Sequence, residues 1–79
     1  MRRTLSEIYE TAGPIAVFVR EKRKELGYTQ EVLARRIGVG VRFFRELEQG
    51  KQSLRLDKVR TVVEFLGGVI TVKERGPLP

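Results

Sequence analysis

The sequence contains no cysteine and no histidine. Without cysteine there is no disulfide staple and no thiolate metal site. Without histidine, imidazole ligation and imidazole acid–base catalysis are excluded. No apolar run approaches the length of a membrane span, so no membrane partner is expected. The basic start Met1-Arg2-Arg3 is followed by "TLSEIYETAG", which lacks the apolar core of a secretory leader. A cytoplasmic protein is expected. No internal repeat or low-complexity tract is present. The carboxylates are scattered over stretches that use them for capping, pairing and solubility, and no serine has a base within its local motif. "GVG" (38–40) is too short to be a phosphate loop. The expectation is a protein that is not an enzyme and that carries neither cofactor nor metal.

What is present is charge and helix patterning. The chain has 79 residues, 33% charged and 41% apolar, a globular composition for one small domain. A core of that size is modest, which leaves room for help from a partner subunit. The formal net charge is +6 and the pI about 10.3. Such an excess favours a polyanion, either nucleic acid or an acidic membrane face. Charge alone is equally compatible with a basic protein that binds no DNA.

Punctuation divides the chain into four helical stretches. In "PIAVFVREKRKEL" (14–26), proline suits a first helical turn, and Ile15, Phe18, Val19 and Leu26 recur at helical spacing. Gly27 supplies the stop. Thr29 caps "QEVLARRI", whose apolar side is Val32, Leu33 and Ile37 with Ala34 beside them. Gly38 ends it. In "RFFRELEQGK" (42–51), Phe44 and Leu47 share one face, while Arg42, Arg45, Glu46 and Gln49 lie largely on the other. Gly50 stops this stretch and "KQSLRL" connects onward. A fourth helix is expected from Leu56 to Leu66, with Val59, Val62, Val63 and Leu66 inward. Residues 1–13 form either a short helix across Ser6 to Thr11, capped by Thr4 and Glu7, or an arm or extra strand.

After Gly67-Gly68, "VITVK" reads as a short β-strand. A lone strand leaves its backbone groups unpaired. The simplest remedy is pairing of Val69, Ile70, Thr71 and Val72 with the same residues of a second copy about a two-fold axis. The alternative is a frayed tail. The expected organisation is therefore an arm or short helix over 1–13, a helical domain over 14–67, and a dimerisation strand with a flexible tail over 68–79.

The second and third helices are separated only by "GVG". So tight a link forces a steep crossing, with Ala34 at the closest approach, Gly38 at positive φ, and Val39 filling the gap. Ile37, Phe44 and Leu47 complete the wedge. This is the helix-turn-helix arrangement.

From about Ile15 to Leu66 the chain resembles the XRE-type, or lambda-repressor-like, helix-turn-helix family. "LGYTQEVLARRIGV" followed by "FFRELEQGKQSLRLDKVRTVVEFLG" is similar to HipB-type antitoxins. The terminal "VITV" fits a short strand that such proteins pair across their dimer. The resemblance implies an all-α fold of four to five helices with a C-terminal strand. It implies base readout by Val41, Arg42, Arg45 and Glu46, and phosphate contacts from Thr29, Gln30, Lys51, Gln52, Ser53 and Arg55. Arg35 and Arg36 add positive field. Arg23 and Glu48 occupy the places of an ion pair that orients the third helix. Gly40 departs from the pattern, because a serine or threonine is usual there. Phe43 is left between partial burial, DNA packing and protein docking.

The function implied is a homodimeric repressor on a palindromic double-stranded operator, acting as a HipB-like antitoxin that also binds a HipA-like kinase toxin. Two other readings stay open. One is a toxin-neutralising interaction module with residual DNA binding. The other is a phage or mobile-element repressor with no toxin partner.

Overall fold

The computed structural model describes residues 13–74, 76 and 77. The short helix considered for residues 6–11 lies outside them. Four helices follow in order: α1 (Pro14–Leu26), α2 (Gln30–Ile37), α3 (Val41–Glu48) and α4 (Leu56–Phe65).

Each boundary has a local cause. Pro14 opens α1, where its missing N–H leaves no bond unmade. Gly27 closes it at φ 75°, with its N–H on the Lys24 carbonyl and the Tyr28 N–H on the Arg23 carbonyl. The Thr29 hydroxyl then accepts the Val32 N–H at 3.1 Å and caps α2. Gly40 precedes α3 in an extended conformation with no side-chain cap.

The core is built from one stripe of each helix. Ala16 and Val19 come from α1, Leu33 and Ala34 from α2, Phe44 and Leu47 from α3. Val59, Val62 and Val63 come from α4, with Leu66 just past its end. Phe44, Leu33, Val19 and Val62 are fully enclosed.

Three positions expected in the core are exposed: Ile15, Leu26 and Val32. On α2 the buried arc runs through Leu33, Ala34 and Ile37, and at about 100° per residue Val32 falls outside it. Ile15 sits in the first turn of α1 between two surface clefts. Leu26 is the final residue of α1, and Arg23 takes the inward position one turn earlier.

No strand forms among the described residues. The segment after α4 begins with the Gly68 N–H on the Val63 carbonyl at 2.9 Å, and then carries no regular structure. Ile70 is half-buried against the core, whereas Val69 is 79% and Val72 96% exposed. Among the described residues the β-branched run has no neighbouring strand, so its backbone has no ladder partner there.

Gly68 is held by proximity. A Cβ there would lie 2.7 Å from Phe18 Cζ and 3.0 Å from Val63 Cγ1. Gly68→Ala is expected to destabilise the protein by about 1–3 kcal/mol through overpacking against the Phe18 ring. Urea denaturation followed by circular dichroism measures this. A loss within error would mean that the ring rotates away freely.

Candidate nucleic-acid interface

The α2–α3 unit is closed by three residues, Gly38-Val39-Gly40. Gly38 takes φ 92°, a left-handed conformation that a side chain would strain. The N–H groups of Gly38 and Val39 both reach the Ala34 carbonyl, at 2.9 and 3.0 Å. Ala34 is fully buried, which allows the two helices to approach there.

This turn determines which side of α3 faces inward. Phe44, Leu47 and Glu48 are buried, Val41 and Phe43 are half-buried against the core, and Arg42 and Arg45 are exposed. The Arg42 side chain is 94% exposed. The outer face of α3 is therefore basic and rests on an apolar wedge. Val41 is packed against the core more than it is presented to solvent.

Carboxylates hold the exposed cations. Arg42 Nε donates to Glu46 Oε1 at 3.1 Å, one turn along α3. Lys51 Nζ donates to Glu46 Oε2 at 2.7 Å. The Lys51 hydrogen bond, opposed by partial desolvation and helped by Arg42, holds the Glu46 carboxyl below its ordinary value. Arg45 Nη2 reaches Glu31 Oε1 at 2.8 Å, across from α3 to the first turn of α2. In the connector, Arg55 grips Asp57 through Nε and Nη2 at 3.2 and 2.8 Å. Lys51, Gln52 and Ser53 are exposed beside it.

Beneath this surface lies a second network. Arg23 Nε and Nη2 meet Glu48 Oε2 and Oε1 at 2.6 and 3.1 Å, a two-point pair on a carboxylate whose side chain is 1% exposed. Arg23 Nη1 also donates to the Tyr28 carbonyl at 2.9 Å. Gln30 Nε2 donates to Glu48 Oε1 at 3.0 Å. The amide of Gln30 is thus turned inward onto Glu48, while Thr29 stays exposed at the same helix end. Side chains from α1 and α2 thus converge on one carboxylate at the end of α3, and the Tyr28 turn is tied in through Arg23.

Two residues outside the expected set belong to this region. Glu31 holds Arg45 across fourteen positions of sequence, a link that no local spacing reveals. Lys58 lies over the Phe43 ring at 5.9 Å, so α4 covers the ring that the sequence left unassigned. Arg36 lies over Tyr28 at 4.8 Å on the other flank. Among the described residues no cluster of acidic side chains is suited to a metal ion. No described helix is long and apolar enough to cross a membrane.

An exposed basic helix mounted on a tight two-helix unit defines the class. The helix-turn-helix family model HTH_3 matches residues 19–69, and the chain belongs to this family. Among its relatives is an uncharacterized HTH-type transcriptional regulator, y4mF, of Sinorhizobium fredii (strain NBRC 101917 / NGR234). It is 39% identical over 67 residues, which span 85% of this chain and 88% of the relative. An uncharacterized HTH-type transcriptional regulator of Methanothermobacter thermautotrophicus (strain Delta H) is 45% identical over 49 residues, or 62% of this chain and 71% of the relative. No solved structure matches the chain significantly.

Proposed function

We propose that the protein is a sequence-specific DNA-binding transcriptional repressor that docks α3 in the major groove. The observation that carries this reading is the division of α3: Phe44 and Leu47 anchor it from behind while Arg42 and Arg45 stand outward. An arginine can bond two acceptors on the guanine edge, which makes these residues the base readers, with Glu46 beside Arg42. Thr29, Lys51, Gln52, Ser53 and Arg55 flank α3 and serve the phosphates, which position without reading sequence. Gln30 serves the Glu48 network first. The names of the two relatives support a regulatory role.

The repressor acts as a homodimer in this reading. The exposed Val69 and Val72 and the unladdered backbone of 69–72 pair with a second copy. The operator is then an inverted repeat with half-site centres about 34 Å apart. The likeness of residues 26–39 and 43–67 and of "VITV" to HipB-type antitoxins extends the proposal: the protein represses its own operon and binds a HipA-like kinase toxin.

Selection from random duplex DNA tests the reading directly. The enriched sites are expected to be inverted repeats. Arg42→Ala is expected to weaken binding to the selected site by about 1–3 kcal/mol, or roughly 5–150-fold in Kd, and to relax base preference at one position of each half-site. Titration by fluorescence anisotropy measures the change. An unchanged Kd would remove Arg42, and the proposed face with it, from recognition. The toxin arm is tested by looking for a HipA-like kinase gene in the same operon and by co-purification with its product.

A further inference from the structure

Four basic side chains of the proposed DNA face are tied to carboxylates before any DNA arrives. Arg42 and Lys51 share Glu46, and Arg55 holds Asp57. Those partners lie two to five positions apart in sequence, and such pairs are common on any charged surface. The Arg45–Glu31 pair is different. It joins the second turn of α3 to the first turn of α2, bridging the two helices of the unit.

Glu31 also stands in an unfavourable place for a DNA-binding surface. It follows Thr29 and Gln30, at the helix end whose free N–H groups attract phosphate. A carboxylate there repels every duplex alike. It also competes with phosphate for Arg45. Both side chains are half exposed, at 51% and 60%, so solvent and DNA can reach the pair and displace it.

We propose that Glu31 is a specificity-determining residue: by holding Arg45 across the two helices it suppresses binding to arbitrary DNA more than binding to the operator. The inference rests on the DNA-binding reading above and goes beyond it. On arbitrary DNA the useful partner for Arg45 is a backbone phosphate, and reaching one means leaving Glu31. On the operator the partner is a base edge in front of α3. An arginine already restrained there loses less freedom on binding. Glu31 therefore weakens both modes through its charge but returns part of the loss only in the specific one.

The test compares Glu31→Gln with Glu64→Gln. Both remove one negative charge, but Glu64 is exposed in the last turn of α4, seven residues and roughly 10 Å along the helix from Asp57. Affinities for the selected operator and for a shuffled duplex of equal length are measured over a salt series. Glu31→Gln is expected to tighten binding to the shuffled duplex about 3–10-fold and to steepen its salt dependence by about one released counterion. The operator changes less, so the ratio of the two affinities falls several-fold; Glu64→Gln leaves that ratio unchanged. In an Arg45→Ala background, Glu31→Gln no longer alters the ratio.

Equal gains on both duplexes, the same behaviour from Glu64→Gln, or an undiminished effect without Arg45 would each overturn the proposal. A wild-type protein that binds neither duplex at low salt would overturn the DNA-binding reading itself, a result separable from the other three.

Discussion

Glu48→Ala is expected to destabilise the protein by about 3–5 kcal/mol. A domain of this length holds roughly 4–12 kcal/mol in total. The magnitude follows from what remains after the carboxylate goes. Arg23, with a side chain 14% exposed, loses both its contacts to Glu48 and, among the described residues, keeps only the Tyr28 carbonyl for its charge. The Gln30 amide loses its partner at the same time. The cost is therefore mainly that of a stranded charge and not the net worth of the pair.

That distinction has its own measurable consequence. Replacing both partners with apolar side chains, as in Arg23→Met with Glu48→Leu, removes the stranded charge and is expected to recover most of the loss. Urea melts of the single and double variants, arranged as a thermodynamic cycle, separate the two contributions. A single Glu48→Ala variant that stays within 1 kcal/mol or so of wild type would show that water reaches Arg23 freely and that the network is dispensable.

The network also shows where sequence reasoning reaches and where it stops. The helices were legible because each carries both an apolar stripe and its own punctuation. Pro14 and Gly27 bound α1, Thr29 and Gly38 bound α2, and the spacing of Phe44 and Leu47 orients α3. These signals are local, so a single sequence contains them whole. The outward direction of Arg42 and Arg45 follows from the same periodicity.

The direction of Gln30 is a different matter. Its place at the start of α2 is readable, but its partner Glu48 lies eighteen positions away and on another helix. Glu31 and Arg45 are hidden for the same reason. Periodicity assigns a residue to a face. It does not say which long side chain on a neighbouring helix will reach across. The exposure of Ile15 belongs here too: the spacing on α1 is helical, but of Ile15, Phe18, Val19 and Leu26 only Val19 is fully buried, because which turns are covered depends on the other helices. For "VITVK" the composition is that of a strand, yet a strand is a relation between two segments, and the described residues supply only one.

The adjacent phenylalanines of α3 put the geometry of the proposed reading helix to its severest trial. Phe44→Ala is expected to cost about 3–5 kcal/mol, and Phe43→Ala about 1 kcal/mol. The two residues are chemically identical and consecutive, but about 100° apart around the helix. Phe44 is fully enclosed within the core that all four helices share, so truncation opens a cavity that cannot close without moving α3. Phe43 is half-buried, with Lys58 above its ring, and solvent or the lysine stem can occupy the space it vacates. Thermal and urea melts of both variants give the comparison. Because Phe44 is the wedge behind Arg42 and Arg45, any Phe44→Ala protein that remains folded should also lose operator affinity with no contact to DNA altered, while Phe43→Ala keeps it. Equal destabilisation by the two substitutions would mean that α3 is rotated from the orientation described, and that its arginines do not face outward.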